Sequence, residues 1–321
     1  MFSSQVYINR RANLKKSVKS GLLLFIGNSE VGMNYPSNTY RFRQDSNFLY
    51  FFGLDEPDVA AVIDVESGEE IIFGNDVSID DIIWMGPQPA MVDKAASVGV
   101  MKVLPLSDLE KYIGKAKSSG RKIHYLPPYR DDVKISIHKM LGIDFDSIKS
   151  SASEEFIKGV VALREIKEAC EIEEMDRAAD IGYMMHFTAM KMVKPGIIEQ
   201  ELVGIMEGIA ISNGSMPSFP IILSQNGETL HNHMHHQVLT DGRLLVVDAG
   251  AESNSHYASD FTRTLPSGGK FTEKQKDIYT IVATANNLAK DMIRPGITYR
   301  EVHLAAVRVL AQGLINIGLM K

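Results

Sequence analysis

A six-residue stretch that occurs twice constrains this chain more than any other feature. Met192-Val193-Lys194-Pro195-Gly196-Ile197 returns as Met292-Ile293-Arg294-Pro295-Gly296-Ile297, displaced by 100 positions, and Glu201 and Glu301 keep the same register. Proline and glycine both interrupt helices, and helical patterns flank both copies. A fixed offset with matched flanks indicates a duplicated supersecondary unit. In the first copy, residues 165–193 read as a long helix, with Ile172, Met175, Ala179, Tyr183, His186 and Met190 near one face. A second helix at 199–212 ends at Asn213-Gly214, and strand signals follow at 220–223, 244–249 and 261–265. By the same offset the second copy should begin its strands near 319–322, whereas the sequence closes at Lys321. Half a sheet without its partner strands would expose an edge that native folds avoid. The expectation is therefore an α+β domain with an internal duplication, its second copy truncated, in a chain that is a piece of a longer protein.

The first 150 residues read differently. An amphipathic helix at 5–18 precedes the apolar run Leu22-Leu23-Leu24-Phe25-Ile26, a buried strand. Residues 59–65 and 70–73 form a hairpin around Ser67-Gly68. Strands near 102–104 and 122–125 alternate with helices at 93–98 and 107–117, which argues for an α/β domain. The polar stretch 147–153 reads as a linker, giving domains at 1–155 and 156–321. A length of 321 residues suits two domains. The formal charge of −6 gives no reason to expect nucleic acid or an anionic membrane as a partner. A single cysteine, Cys170, forbids an internal disulfide, so a reducing cytoplasm is expected. The polar, basic start and the short apolar run after it do not make an export signal.

The chemistry concentrates in two segments. Leu244-Leu245-Val246-Val247-Asp248-Ala249-Gly250 is an apolar strand ending in a carboxylate, and Ser259-Asp260-Phe261-Thr262-Arg263-Thr264 returns with another. Both aspartates lie six positions from Asn254. A hairpin turning there would set Asp248 opposite Asp260, with Cβ atoms roughly 4.5–5.5 Å apart, a match for metal ions about 3.5–4 Å apart. The bland alternative is a strand-end cap with an ion pair to Arg263. Upstream, residues 231–236 hold four of the nine histidines. His231, directly after Leu230, is the best placed to orient substrate or to stabilise oxyanion charge. The acidic run Glu165, Glu168, Glu171, Glu173 and Glu174 reads as a solvated helix face.

These segments together resemble the active-site core of the pita-bread metallopeptidases, which include methionine aminopeptidase, prolidase, aminopeptidase P and creatinase. Tyr40-Arg41-Phe42-Arg43-Gln44-Asp45-Ser46-Asn47-Phe48-Leu49-Tyr50-Phe51-Phe52-Gly53-Leu54, with Glu56-Pro57, resembles the creatinase-like N-terminal domain of aminopeptidase P and prolidase, a domain that methionine aminopeptidase lacks. The resemblance implies an α/β N-terminal domain followed by a pita-bread domain. It implies that Asp248 chelates one metal ion, that Asp260 bridges two, and that His231 contacts substrate near the scissile carbonyl. Trp84 resembles a tryptophan that reaches a neighbouring subunit's active site, with simple packing as the alternative.

The implied activity is hydrolysis of an N-terminal Xaa-Pro bond, assisted by two divalent ions with Mn2+ expected, in a homodimer or higher homo-oligomer that takes peptides with proline second. Two departures stand out. The spacing from Asp248 to Asp260 is one residue longer than in close relatives. The family's later histidine and two glutamates would lie beyond Lys321, and His303 does not sit in that motif. The 321 residues alone would then be inactive while the parent protein is active. Prolidase, acting on dipeptides, and a metal-free module that binds peptides or proteins remain the alternatives; creatinase, which uses the fold without metal, fits the retained aspartates less well.

Overall fold

The computed structural model describes residues 2–214 and 216–321. The chain divides into two compact units, one ending at Ile172 and the other beginning at Glu173. The boundary expected at 155/156 falls earlier, at the start of a helix (Glu154–Arg164, α7 below) that packs back onto the first helix of the chain.

The first unit contains α1 (Ser4–Ser17), β1 (Leu22–Ile26), α2 (Ser46–Phe52), β2 (Ala60–Asp64), β3 (Glu70–Phe73), α3 (Ile79–Met85), α4 (Met91–Ser97), β4 (Lys102–Leu104), α5 (Leu109–Ser118), β5 (Ile123–His124), α6 (Asp131–Leu141) and α7 (Glu154–Arg164). The strands form a mixed sheet in the order β4-β3-β2-β1-β5. β1 runs antiparallel to β2 and parallel to β5. Its unbroken apolar run follows from burial on both faces. Leu23 and Phe25 pack with α1, α2 and α7, whereas Leu22 and Leu24 pack with α5 and α6. Phe25 is ringed by Phe51, Phe52 and Phe156 at centroid distances of 5.3, 5.2 and 5.1 Å.

The helix expected at 5–18 is present, and two of its basic residues are turned inward. Arg10 and Arg11 are buried. Arg11 donates to Glu70 Oε2 (2.7 Å) and to the carbonyls of Phe51 (2.8 Å) and Val98 (3.0 Å), so one guanidinium joins α1 to α2, β3 and α4. Arg10 donates to the Tyr50 carbonyl (3.0 Å) and pairs with Glu168 (2.6 Å). The Arg-Gln-Asp-Ser-Asn motif is likewise structural. Buried Gln44 accepts from the amides of Asn28 and Asp45 and donates to the Glu56 carbonyl, each at 2.7 Å. Asp45 caps α2 through the amides of Asn47 and Phe48, both at 2.9 Å.

The second unit begins within α8 (Ala169–Met192) and continues with α9 (Glu199–Ser212), β6 (Ile222–Ser224), β7 (Leu244–Ala249), β8 (Phe261–Pro266), α10 (Glu273–Met292) and α11 (Tyr299–Asn316). β6, β7 and β8 form an antiparallel meander. Helices α10 and α11 repeat the α8–α9 pair around the second Pro-Gly, and no strand follows them among the described residues. Two expectations about α8 fail. Residues 165–168 are a break, with α7 ending at Arg164. The buried stripe of α8 is Ala178, Ile181, Met185 and Ala189, together with His186, while Ile172, Met175, Tyr183 and Met190 are exposed. Small residues at the point of closest approach rotate the buried stripe: a Cβ on Gly182 would lie 2.7 Å from Ser259 Oγ. Glu171 and Glu174 are buried rather than solvated, and Glu171 caps the helix start through the Glu168 amide (2.9 Å). No helix among the described residues is long and apolar enough to cross a membrane.

The end of β2 carries an ion pair with a readable pH signature. Asp64, whose side chain is 10% exposed, receives both guanidinium nitrogens of Arg121 at 2.7 Å and the amides of Glu66 and Ser67. Arg121 holds this carboxyl well below the usual range, against the opposing effect of burial. A depressed folded pKa contributes stability above the unfolded value of about 3.9, and that stability is lost as pH falls towards the folded value. Denaturant titrations of Asp64→Asn should show a loss of about 2–3 kcal/mol at pH 7, with a shallower decline than wild type below about pH 4.

Candidate metal and substrate site

β7 alternates strictly, with Leu245, Val247 and Ala249 buried and Leu244, Val246 and Asp248 half-buried. The inward set packs on Met185, Leu202 and Met206. This period of two turns Asp248 to the opposite face, away from the helices. The register differs from expectation: Asp248 pairs with Thr262, and Ala249 with Phe261. The hairpin is closed further along, where the Ser253 amide donates to the Tyr257 carbonyl (2.6 Å) and His256 adopts φ 63°. The strands therefore fold about Ser255, not Asn254. A shift of two positions preserves the face, so Asp260 becomes a diagonal neighbour of Asp248. Asp260 remains close enough to raise the Asp248 pKa.

Gly250 and Ser259 fix this geometry. A Cβ at Gly250 would fall 1.8 Å from the Ser259 carbonyl oxygen, so only glycine permits the crossing. Ser259 Oγ donates to the Ala178 carbonyl on α8 (2.7 Å) and accepts from the Ala251 amide (3.1 Å). The Ser259 carbonyl accepts from Ser218 Oγ (2.7 Å). His186 Nε2 lies 3.0 Å from the Ala249 carbonyl, with its ring edge-on to Phe261. Each aspartate thus has a chain neighbour secured to α8. Sequence reasoning missed Ser259, Gly182 and the sheet-facing role of His186. The juxtaposition of Ser259 with Asp260 was the available signal.

The electrostatics of the aspartate pair are dominated by burial and like charge. Burial raises the Asp248 pKa, the hydrogen bond from Thr262 opposes that rise, and Asp260 adds to it. Asp248 Oδ1 is buried without a hydrogen-bond partner. Arg263 donates instead to the Thr262 carbonyl (2.7 Å) and forms no ion pair with either aspartate among the described residues, so the cap-and-ion-pair alternative is not what the fold builds. Two adjoining carboxylates with an orphaned buried oxygen fit a divalent ion. Among the described residues, no group of three or more His, Cys, Asp or Glu is placed to hold a metal.

The histidine loop lies along β6. Asn232 Nδ2 donates to Ser224 Oγ (3.1 Å), and His235 Nδ1 lies 3.1 Å from the Leu223 carbonyl. His231 is exposed and is not gathered with the aspartates into a ligand cluster. Trp84 is 87% exposed on α3, a helix without a buried residue, so simple packing does not account for it.

The chain is similar to known metallopeptidases along its length. Residues 173–319 match metallopeptidase family M24, and residues 7–124 match the N-terminal domain of aminopeptidase P. Escherichia coli Xaa-Pro aminopeptidase is 28% identical over 330 residues, covering 99% of this chain and 75% of the relative. A Chaetomium globosum sequence described as "Probable Xaa-Pro aminopeptidase" is 27% identical over 94% of this chain, which spans only 50% of that relative. Zinc-substituted E. coli aminopeptidase P in complex with product aligns over the whole chain and 75% of its own length, with a TM-score of 0.86 and 27% identity. The chain belongs to the aminopeptidase P and prolidase family of pita-bread metallopeptidases, with a creatinase-like N-terminal domain ahead of an M24 domain.

Replacing Asp248 by Asn should separate stability from binding. Removing a half-buried charge beside Asp260 is expected to raise the metal-free Tm by about 2 °C. Binding of Mn2+, read from the free-ion paramagnetic resonance signal, should weaken at least about tenfold. A lower Tm with unchanged Mn2+ binding would contradict the assignment.

Proposed function

We propose that this chain belongs to an Xaa-Pro aminopeptidase, which hydrolyses the bond between an N-terminal residue and a following proline. The carrying observation is the Asp248–Asp260 pair, whose buried and unpartnered Oδ1 calls for a cation in the M24 half of the chain. Support also comes from the E. coli relative, which is an Xaa-Pro aminopeptidase solved with zinc and with product.

Asp248 and Asp260 would hold the metal, and oxygen-rich donors favour Mn2+. A divalent ion there supplies Lewis-acid polarisation and an activated water. Thr262, the cross-strand partner of Asp248, offsets part of the rise in its pKa. His231, exposed at the tip of a loop tethered by Asn232 and His235, presents an imidazole that can donate to the substrate carbonyl oxygen as charge develops on it.

Supplied with Mn2+, the protein should release the N-terminal residue of Xaa-Pro-Yaa peptides and spare Xaa-Ala-Yaa. Chelation should abolish the reaction, and His231→Ala should lower kcat by about 10²–10³. Cleavage of Xaa-Pro dipeptides alone would make it a prolidase. Peptide binding with no hydrolysis would make it a binding module.

We further propose that the protein works in the cytoplasm as a homodimer or larger homo-oligomer. Its lone cysteine suits a reducing compartment. Ile79, Ile83, Trp84 and Met85 form an exposed apolar face on α3, of a kind that marks contact surfaces. Light scattering after size exclusion should give a dimer or larger for wild type and a smaller species for Trp84→Ala; a monomeric wild type would refute this reading.

A further inference from the structure

Glu199 begins α9 yet is 0% exposed. Its Oε1 accepts from the Gln225 amide at 2.8 Å, while Oε2 is buried with no partner. Leaving a carboxylate oxygen so placed costs free energy and calls for a reason. Helix capping is not the reason. The same position in the second copy is Tyr299, 87% exposed, and α11 forms with its own cap from Thr298.

What Glu199 does touch is the root of the histidine loop. Gln225 follows β6 and opens the loop, and its side chain reaches across to the loop's far end. Its Oε1 accepts from the Thr240 amide (3.1 Å) and hydroxyl (3.2 Å), and its Nε2 donates to the Val238 carbonyl (2.8 Å). The returning limb is then laced to the start of α9. The amides of Glu199 and Gln200 donate to the carbonyls of Gln237 (3.0 Å) and His235 (2.9 Å), and the Leu239 amide donates to the Ile197 carbonyl (2.9 Å). Both ends of the loop are held at one buried point, and the exposed stretch containing His231 lies between them.

We propose that Glu199, acting through Gln225, is a positioning residue that sets where the loop presents His231. Its role in turnover rests on the peptidase reading above, but the clamp itself does not. Amide hydrogen exchange on the whole chain tests it. Glu199→Ala should speed exchange across residues 226–240 by about tenfold and leave β1, β2 and β7 unchanged. Glu199→Gln keeps the Oε1 acceptor and should stay within about threefold of wild type. Unchanged loop exchange in Glu199→Ala would overturn the proposal, as would an equal rise across β7 and β8 or a failure of Glu199→Gln to rescue. Should Glu199→Ala not fold, Gln225→Ala carries the test, with the same confined rise expected and its absence equally decisive. None of these readouts depends on hydrolysis, so an inactive protein with a confined rise sinks the peptidase reading and not the clamp.

Discussion

The close contact between α8 and the β7–β8 hairpin governs the second unit. Gly182 removes the Cβ that would strike Ser259, Gly250 removes the one that would strike its carbonyl, and Ser259 Oγ bonds to the Ala178 carbonyl. Once the hairpin is fixed at that point, the pleat decides the rest. Leu245, Val247 and Ala249 enter the core, and Asp248 is forced onto the other face beside Asp260. The backbone thereby holds two carboxyl groups together, an arrangement that costs stability.

The first unit solves a different problem. Its sheet is covered on both faces, so helices must be joined across a wholly apolar interior. Arg11 does this by satisfying carbonyls of α2 and the end of α4 while pairing with Glu70. A buried guanidinium with every contact directed at a separate element fixes relative position in a way that leucine packing alone does not. Gln44 performs the same service around the start of α2. Within the motif by which this domain resembles its relatives, Gln44 and Asp45 act as internal braces.

Reading by periodicity worked where one physical effect dominated. The run Leu22–Ile26 and the alternation of Leu244–Ala249 each admit one solution, and those strands fall as expected. It failed on α8, where large apolar residues at helical spacing marked the exposed side. Close approach to the sheet selects small residues, and periodicity weighted by size cannot see that. It failed on Glu171 and Glu174 because charge predicts solvent only when no partner is available inside.

At the site, the sequence by itself determined the residue types and their face. A duplication, two aspartates at the ends of apolar strands and a histidine-rich loop were all legible, and so was the family. Only the tertiary structure decided the register, because the turn is set by a left-handed His256 and by contacts from Ser259 to α8, neither of which leaves a local mark. It alone decided that Glu199 is buried against Gln225 while its counterpart Tyr299 is exposed. Two copies of one motif carry the same local preferences, and what distinguishes them is the chain that happens to pack against each.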